Sequence, residues 1–201
     1  MTVNRPTIIL CTSKNDAKII NKLSSKSNVS ELTIITFRSD LDYILDGEKF
    51  RIFSSYDFIS TEVSKEIYNL SISLSSSWKK LGKINEELTF CGVSYIDSVS
   101  LDLPCFFLKI LRDIEIIRNI IDKLNPTRII SLNDIHSFNG FEPKHEGSFV
   151  SSISRYVCKE TGVKFSLLNK KSSLSKVNNQ SLENLKLWSI MFVRKILSEY
   201  K

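Results

Sequence analysis

The sequence predicts an α/β domain with a Rossmann-like open, mostly parallel sheet of about five to six strands and helices on both faces. Three observations carry that expectation. Short β-branched runs at residues 7–12, 31–37, 49–54, 128–132 and 163–168 are separated by segments whose apolar residues recur at helical spacing. Parallel neighbours need a crossover of about a dozen residues or more, which such helices supply. The 201 residues, 42% of them apolar and only 6 of them Gly, suffice for one core and do not fit disordered or low-complexity classes.

In chain order, residues 7–12 form a β-branched run ending in small polar residues, and Ser13 or Asn15 can cap a helix through Ala17, Ile19, Ile20 and Leu23. Residues 31–37 repeat the strand signal. Ser39 or Asp40 then caps a short helix through Leu41, Ile44 and Leu45 that stops at Gly47. Residues 49–54 are a third, weaker strand. From 60 to 88 the apolar positions Val63, Ile67, Leu70, Leu74, Trp78, Leu81, Ile84 and Leu88 make one stripe of a long helix. Residues 89–94 break it with a short extended piece.

Ser100 or Asp102 caps the next helix, with Pro104 in a tolerated first-turn position and Pro126 as its stop. Its apolar residues, Phe106 and Phe107 through Ile121 and Leu124, are numerous enough to predict burial. Residues 128–132 form the fourth strand and run on into Asn133 and Asp134. After an irregular stretch at 135–146, residues 148–160 read as a helix stopped by Gly162, and 163–168 as the fifth strand. The domain is therefore expected over 1–168, a polar basic linker over 169–181, and an amphipathic helix over 182–201 with Leu185, Trp188, Phe192 and Ile196 on one side.

Charge, cysteine and glycine usage exclude several functions. The net charge is +6, yet residues 1–146 hold 18 basic and 19 acidic side chains while residues 147–201 hold 10 and 3. The body is nearly neutral, so there is no basic groove for nucleic acid. The terminal helix leaves two readings open: peripheral docking on an anionic membrane at its inner face, or packing back on the domain or leading into a second one. Cys11, Cys91, Cys105 and Cys158 contain no Cys-x-x-Cys pair, which excludes a zinc knuckle and reads as reduced thiols of a cytoplasmic protein. The isolated glycines build neither a dinucleotide-binding nor a phosphate-binding loop, and no cofactor is expected. No Gly-x-Ser-x-Gly elbow is present, and no apolar run approaches the ~20 residues of a membrane span. A receiver-like or flavodoxin-like regulator would want an acidic cluster after strand one, which the sequence does not display.

In open parallel sheets ligands bind at the carboxyl ends of the strands, where strand order reverses. The loop after the fourth strand is the richest of these. Asp134 and His136, two residues apart, are the minimal kit for a general base with an orienting partner, or else a turn cap and a surface residue. Lys14, Asn133, His145 and Glu146 are the candidate ligand-binding residues. His136, Glu142, His145 and Glu146 match no metal-ligand spacing, and no metal is expected.

Several segments also carry a family likeness. Trp78-Lys-Lys-Leu81, the extended piece from Leu88 to Ser94, the long helix closing on Lys123-Leu-Asn-Pro126, the strand from Arg128 to Asp134 and the helix ending in Thr161-Gly-Val-Lys164 together resemble the N-terminal domain of two-domain GT-B glycosyltransferases of prokaryotic surface-polysaccharide biosynthesis. The resemblance covers residues 7–168. It implies an acceptor-side half in which Asp134, then His136, is the base on an acceptor hydroxyl of a glycan or lipid-linked acceptor. The sugar nucleotide would bind a second half of similar fold, so that this chain reads as part of an enzyme. The competing expectation is a non-catalytic binding or scaffold module that docks a partner or membrane through its basic terminal helix.

Overall fold

The computed structural model describes residues 5–24, 32–45, 47, 49–78, 89–90, 93–94, 103–133 and 150–169, and every structural statement below concerns those residues. The chain divides into two units, Met1–Lys170 and Lys171–Lys201. The described residues belong to the first; most of the expected linker and the whole terminal helix lie outside them.

Strand β1 (Thr7–Cys11) leads directly into helix α1 (Lys14–Ser24), followed by β2 (Leu32–Thr36), a 3₁₀ turn at Ser39–Leu41, and β3 (Arg51–Ser54). A second 3₁₀ turn, Ser55–Phe58, precedes α2 (Thr61–Trp78); β4 (Thr89–Phe90) and β5 (Val93–Ser94) pair antiparallel as a small ladder. Helix α3 (Leu103–Leu124), β6 (Arg128–Asn133), α4 (Val150–Thr161) and β7 (Lys164–Asn169) complete the unit. The main sheet runs β3-β2-β1-β6-β7, with every pair parallel. This is the expected Rossmann-like α/β fold with five strands, and its order is incompatible with a receiver-like sheet, in which β2 would stand at the edge.

Strand alternation distributes the core over two faces. Ile9 lies opposite Ile34 and Ile130, and Ile34 opposite Ile52, so these side chains share one face. They pack with Cys11, Ala17, Ile20, Leu41, Leu45, Phe50 and Leu132 around α1. Ile8, Leu10, Ile35 and Ile129 point the other way and are completely buried. The β1-α1-β2 and β6-α4-β7 units step across the sheet in opposite directions, and right-handed crossovers therefore set α1 and α4 on opposite faces. Helix α3 packs against both α2 and α4.

The long α3 is about 33 Å from end to end at 1.5 Å per residue. Its stop is local: Asn125 takes φ 44°, its amide donates to the Ile121 carbonyl at 2.8 Å, and Pro126 cannot continue the helix. The Thr127 amide then donates to the Pro6 carbonyl at 3.1 Å, tying the start of β6 to the start of β1. The Asn119 amide donates to the Phe58 carbonyl at 2.9 Å and fastens α3 to the turn before α2. Buried Ser71 and Ser75 in α2 satisfy their hydroxyls on the Tyr68 and Ser71 carbonyls of their own helix.

Three expectations are adjusted. The short helix after β2 does not form beyond the 3₁₀ turn: Arg38, at its N-terminal boundary, supplies no side-chain cap, and the Thr36 hydroxyl engages Asp42. The stripe expected from 60 to 88 is helical over Thr61–Trp78, and 79–88 lie outside the described residues. Strand β7 extends through Asn169, which pairs with Asn133. No described helix is long and apolar enough to cross a membrane.

Candidate functional site

Strand order reverses between β1 and β6: from β1 the chain steps to β2 and β3 on one side, and from β6 to β7 on the other. The crevice of such a sheet opens there, at the carboxyl ends of β1 and β6. On the β6 side Asn133 closes the strand, its backbone aligned with Asn169. Asp134, His136, His145 and Glu146 lie outside the described residues, as does Glu142.

The β1 side is tightly organised. Only Thr12 and Ser13 separate the strand from α1. The Ser13 hydroxyl accepts from the Asp16 amide at 3.1 Å, capping α1 as expected, and the Ser13 amide donates back to Asp16 Oδ2 at 3.0 Å. The same Oδ2 accepts from the Thr12 amide at 3.0 Å and from the Thr12 hydroxyl at 2.8 Å. Asp16 is 1% exposed.

Beside this turn, the Phe37 amide donates to the Cys11 carbonyl at 3.0 Å, holding the carboxyl end of β2 against that of β1. Burial, together with the charges of Asp16, Asp42 and Asp40, pushes the Cys11 thiol up to about 12. The Arg38 guanidinium grips Asp40 with Nε at 3.0 Å and Nη2 at 2.8 Å, and these hydrogen bonds hold its exposed carboxyl below the usual range. Lys14, named from the sequence as a ligand contact, is exposed and comes within 3.9 Å of Asp40. Of the expected site residues, then, Lys14 and Asn133 stand at the carboxyl ends of the two central strands.

Sequence reading overlooked Asp16 and the approach of three aspartates to Cys11. The first was legible in principle, since Ser13-x-x-Asp16 is a capping-box spacing at a strand–helix junction. The second required knowing that β2 lies beside β1. Among the described residues no group of His, Cys, Asp and Glu is arranged to hold a metal ion.

Helix α3 contributes a second unanticipated group. Asp113 is 1% exposed, its Oδ2 has no hydrogen-bond partner, and burial raises its carboxyl to about 6.

The strand order and the β1–β6 crevice define an α/β protein of the Rossmann-like class. Neither a protein-family model nor a curated protein matches the chain. Among solved structures, it is similar to the crystal structure of the Citrobacter sp. triphenylmethane reductase complexed with NADP(H), with 13% identity and a TM-score of 0.37. The match covers 82% of this chain and 48% of that one, so the chain spans about half the reductase's length.

Proposed function

We propose that this domain is the acceptor-side half of a GT-B type glycosyltransferase acting in cell-surface glycan biosynthesis. The observation that carries the reading is the reversal of strand order between β1 and β6, since ligands of such open sheets bind at the carboxyl ends of the strands where the order reverses, and β6 ends there at Asn133. In the chain the segment that follows begins with Asp134 and continues to His136. In this reading Asp134 accepts the proton of the acceptor hydroxyl as that oxygen attacks the sugar's anomeric carbon and the nucleotide departs. His136 is the next candidate for the base, and Lys14, Asn133, His145 and Glu146 line the cleft. The acceptor is a glycan or a lipid-linked sugar, and the sugar nucleotide binds a second domain.

The test is turnover of Asp134→Asn and His136→Ala in the protein joined to its donor-binding half. A fall of about a hundredfold or more is expected for the base. Unchanged turnover of both would remove them from the mechanism. An open reading frame continuing past Lys201 into a second strand–helix alternation is also expected; a stop codon there would count against the reading.

One observation favours a second reading, a binding module that docks through its basic end. The excess of 10 basic over 3 acidic residues is confined to 147–201. Salt-sensitive co-sedimentation with anionic liposomes, lost on removal of 182–201, would support it. No binding by either form would sink it.

A further inference from the structure

We infer that Asp113 belongs to the β1–β6 crevice, where its carboxylate accepts a hydrogen bond from a hydroxyl of a neutral sugar ring. The connection from β3 to β6 steps across the sheet in the same direction as β6-α4-β7, so a right-handed crossover sets α3 on the face of α4, away from α1. The last turn of α3 is pinned to the amino edge of the sheet: only residues 125–127 separate Leu124 from β6, and the Thr127 amide donates to the Pro6 carbonyl just before β1. Asp113 stands eleven residues before Leu124, about 16 Å along the helix, and a five-residue strand such as β1 is about as long. Asp113 is therefore level with the carboxyl ends of β1 and β6, where the crevice opens.

Its side chain lies on the stripe of α3 that faces the sheet. Phe106, Ile110, Asp113, Ile117 and Ile120 recur at intervals of four and three residues, and Ile117 and Ile120 are completely buried. Toward the helix start the stripe continues past the strand ends as half-buried Ile110 and Phe106, so the α3 wall of the crevice is apolar with one carboxylate at its foot. Asp113 is 1% exposed and its Oδ2 has no hydrogen-bond partner. A buried acceptor left open at a cost in stability, at the level where ligands of such sheets bind, marks a binding residue. An aromatic and aliphatic wall with one acceptor fits a sugar ring, whose C–H face packs on apolar groups while its hydroxyls donate. Arg112 and Lys109 act on Asp113 as positive charges, which disfavours a cationic ligand, and the carboxylate itself disfavours phosphate. The inference rests on the acceptor-side reading and narrows its ligand to a neutral sugar.

The experiment is titration of the ¹⁵N-labelled 201-residue chain with methyl α-D-glucopyranoside, beside Asp113→Asn, which keeps the side chain's shape and removes its charge. The wild-type amide resonances of Phe106, Ile110 and Asp113 are expected to shift saturably. The variant is expected to bind at least about tenfold more weakly, although its urea midpoint at about pH 8 is not lowered. Equal affinity in the two chains would overturn the inference and leave the acceptor-side reading standing, since that reading fails on unchanged turnover of the Asp134 and His136 variants. Weaker binding together with a lowered urea midpoint would mark a structural role and overturn it as well. Absence of saturable wild-type shifts would also overturn it, and that arm decides the matter even where the variant does not fold.

Discussion

Replacing Asp113 by Asn removes a buried carboxylate charge from the middle of α3. The side chain is 1% exposed and its Oδ2 has no partner. Burial raises the carboxyl from 3.8 to about 6, against the opposing pull of the Arg112 and Lys109 charges. A shift of about two units corresponds to about 3 kcal/mol between the protonation states, at 1.36 kcal/mol per unit. The sign follows from linkage. The folded state binds the proton more tightly than the unfolded chain, so Asp113 costs nothing below the unfolded value of 3.8. Stability is lost as pH rises through about 6, and the full cost is present above that.

Asn has the same shape and no charge. Urea unfolding of wild type and Asp113→Asn at about pH 8 should show the variant more stable by about 2 kcal/mol, the remainder offset by a buried amide without an acceptor. At about pH 4 the gap should close, because other carboxylates titrate alike in both chains. A gap independent of pH would refute the reasoning, as would a variant less stable than wild type at about pH 8. Either outcome would mean that Arg112 or Lys109 holds the carboxylate charged and that breaking the pair dominates.

Further expectations can be checked with the same chain. Gly162 ends α4 at φ +76° with nothing within 4 Å of an added Cβ, so Gly162→Ala should cost about 1 kcal/mol through backbone strain alone, read as a lowered urea midpoint with an unchanged slope. Ile117→Ala, at a completely buried position of α3, should cost about 2–5 kcal/mol in the same assay, and a loss below about 1 kcal/mol would show that the site is not packed as described. The Cys11 and Cys158 thiols, pushed by burial to about 12 and about 11, should resist alkylation in the native protein while exposed Cys105 is modified first. Mass spectrometry of peptides after a short iodoacetamide pulse distinguishes them, and early labelling of Cys11 would contradict its placement.

Much of the fold is written in short-range patterns. The β-branched runs that became β1, β2, β3, β6 and β7 are recognisable because a strand's preference and its two-residue alternation are local. Asn125 and Pro126 end α3, and Gly162 ends α4, for reasons confined to a few backbone angles. The helix expected after β2 stops at a 3₁₀ turn whose N-terminal residue, Arg38, makes no side-chain cap, and beside it Thr36, in a strand, engages Asp42. Asp113 shows where local pattern runs out. Its position is flanked on the helix by Ile114, Ile116, Ile117 and Ile120, all buried, yet a lone carboxylate in such a stripe reads as its polar edge until the packing of α2 and α4 on α3 is known.

The sequence by itself determined the class of fold, the order of the strands and long helices, and the stops of α3 and α4, because propensity, capping and periodicity act over one or two turns of chain. It also determined where charge accumulates, near neutrality over 1–146 and a basic excess beyond. Only the tertiary structure decided that β1 lies between β2 and β6, which creates the crevice, and that Asp16, Asp40 and Asp42 draw close to Cys11. Those outcomes depend on which strands pair and in what register. Pairing is set by burial of both sheet faces at once, a property of the whole chain that no short window of residues contains.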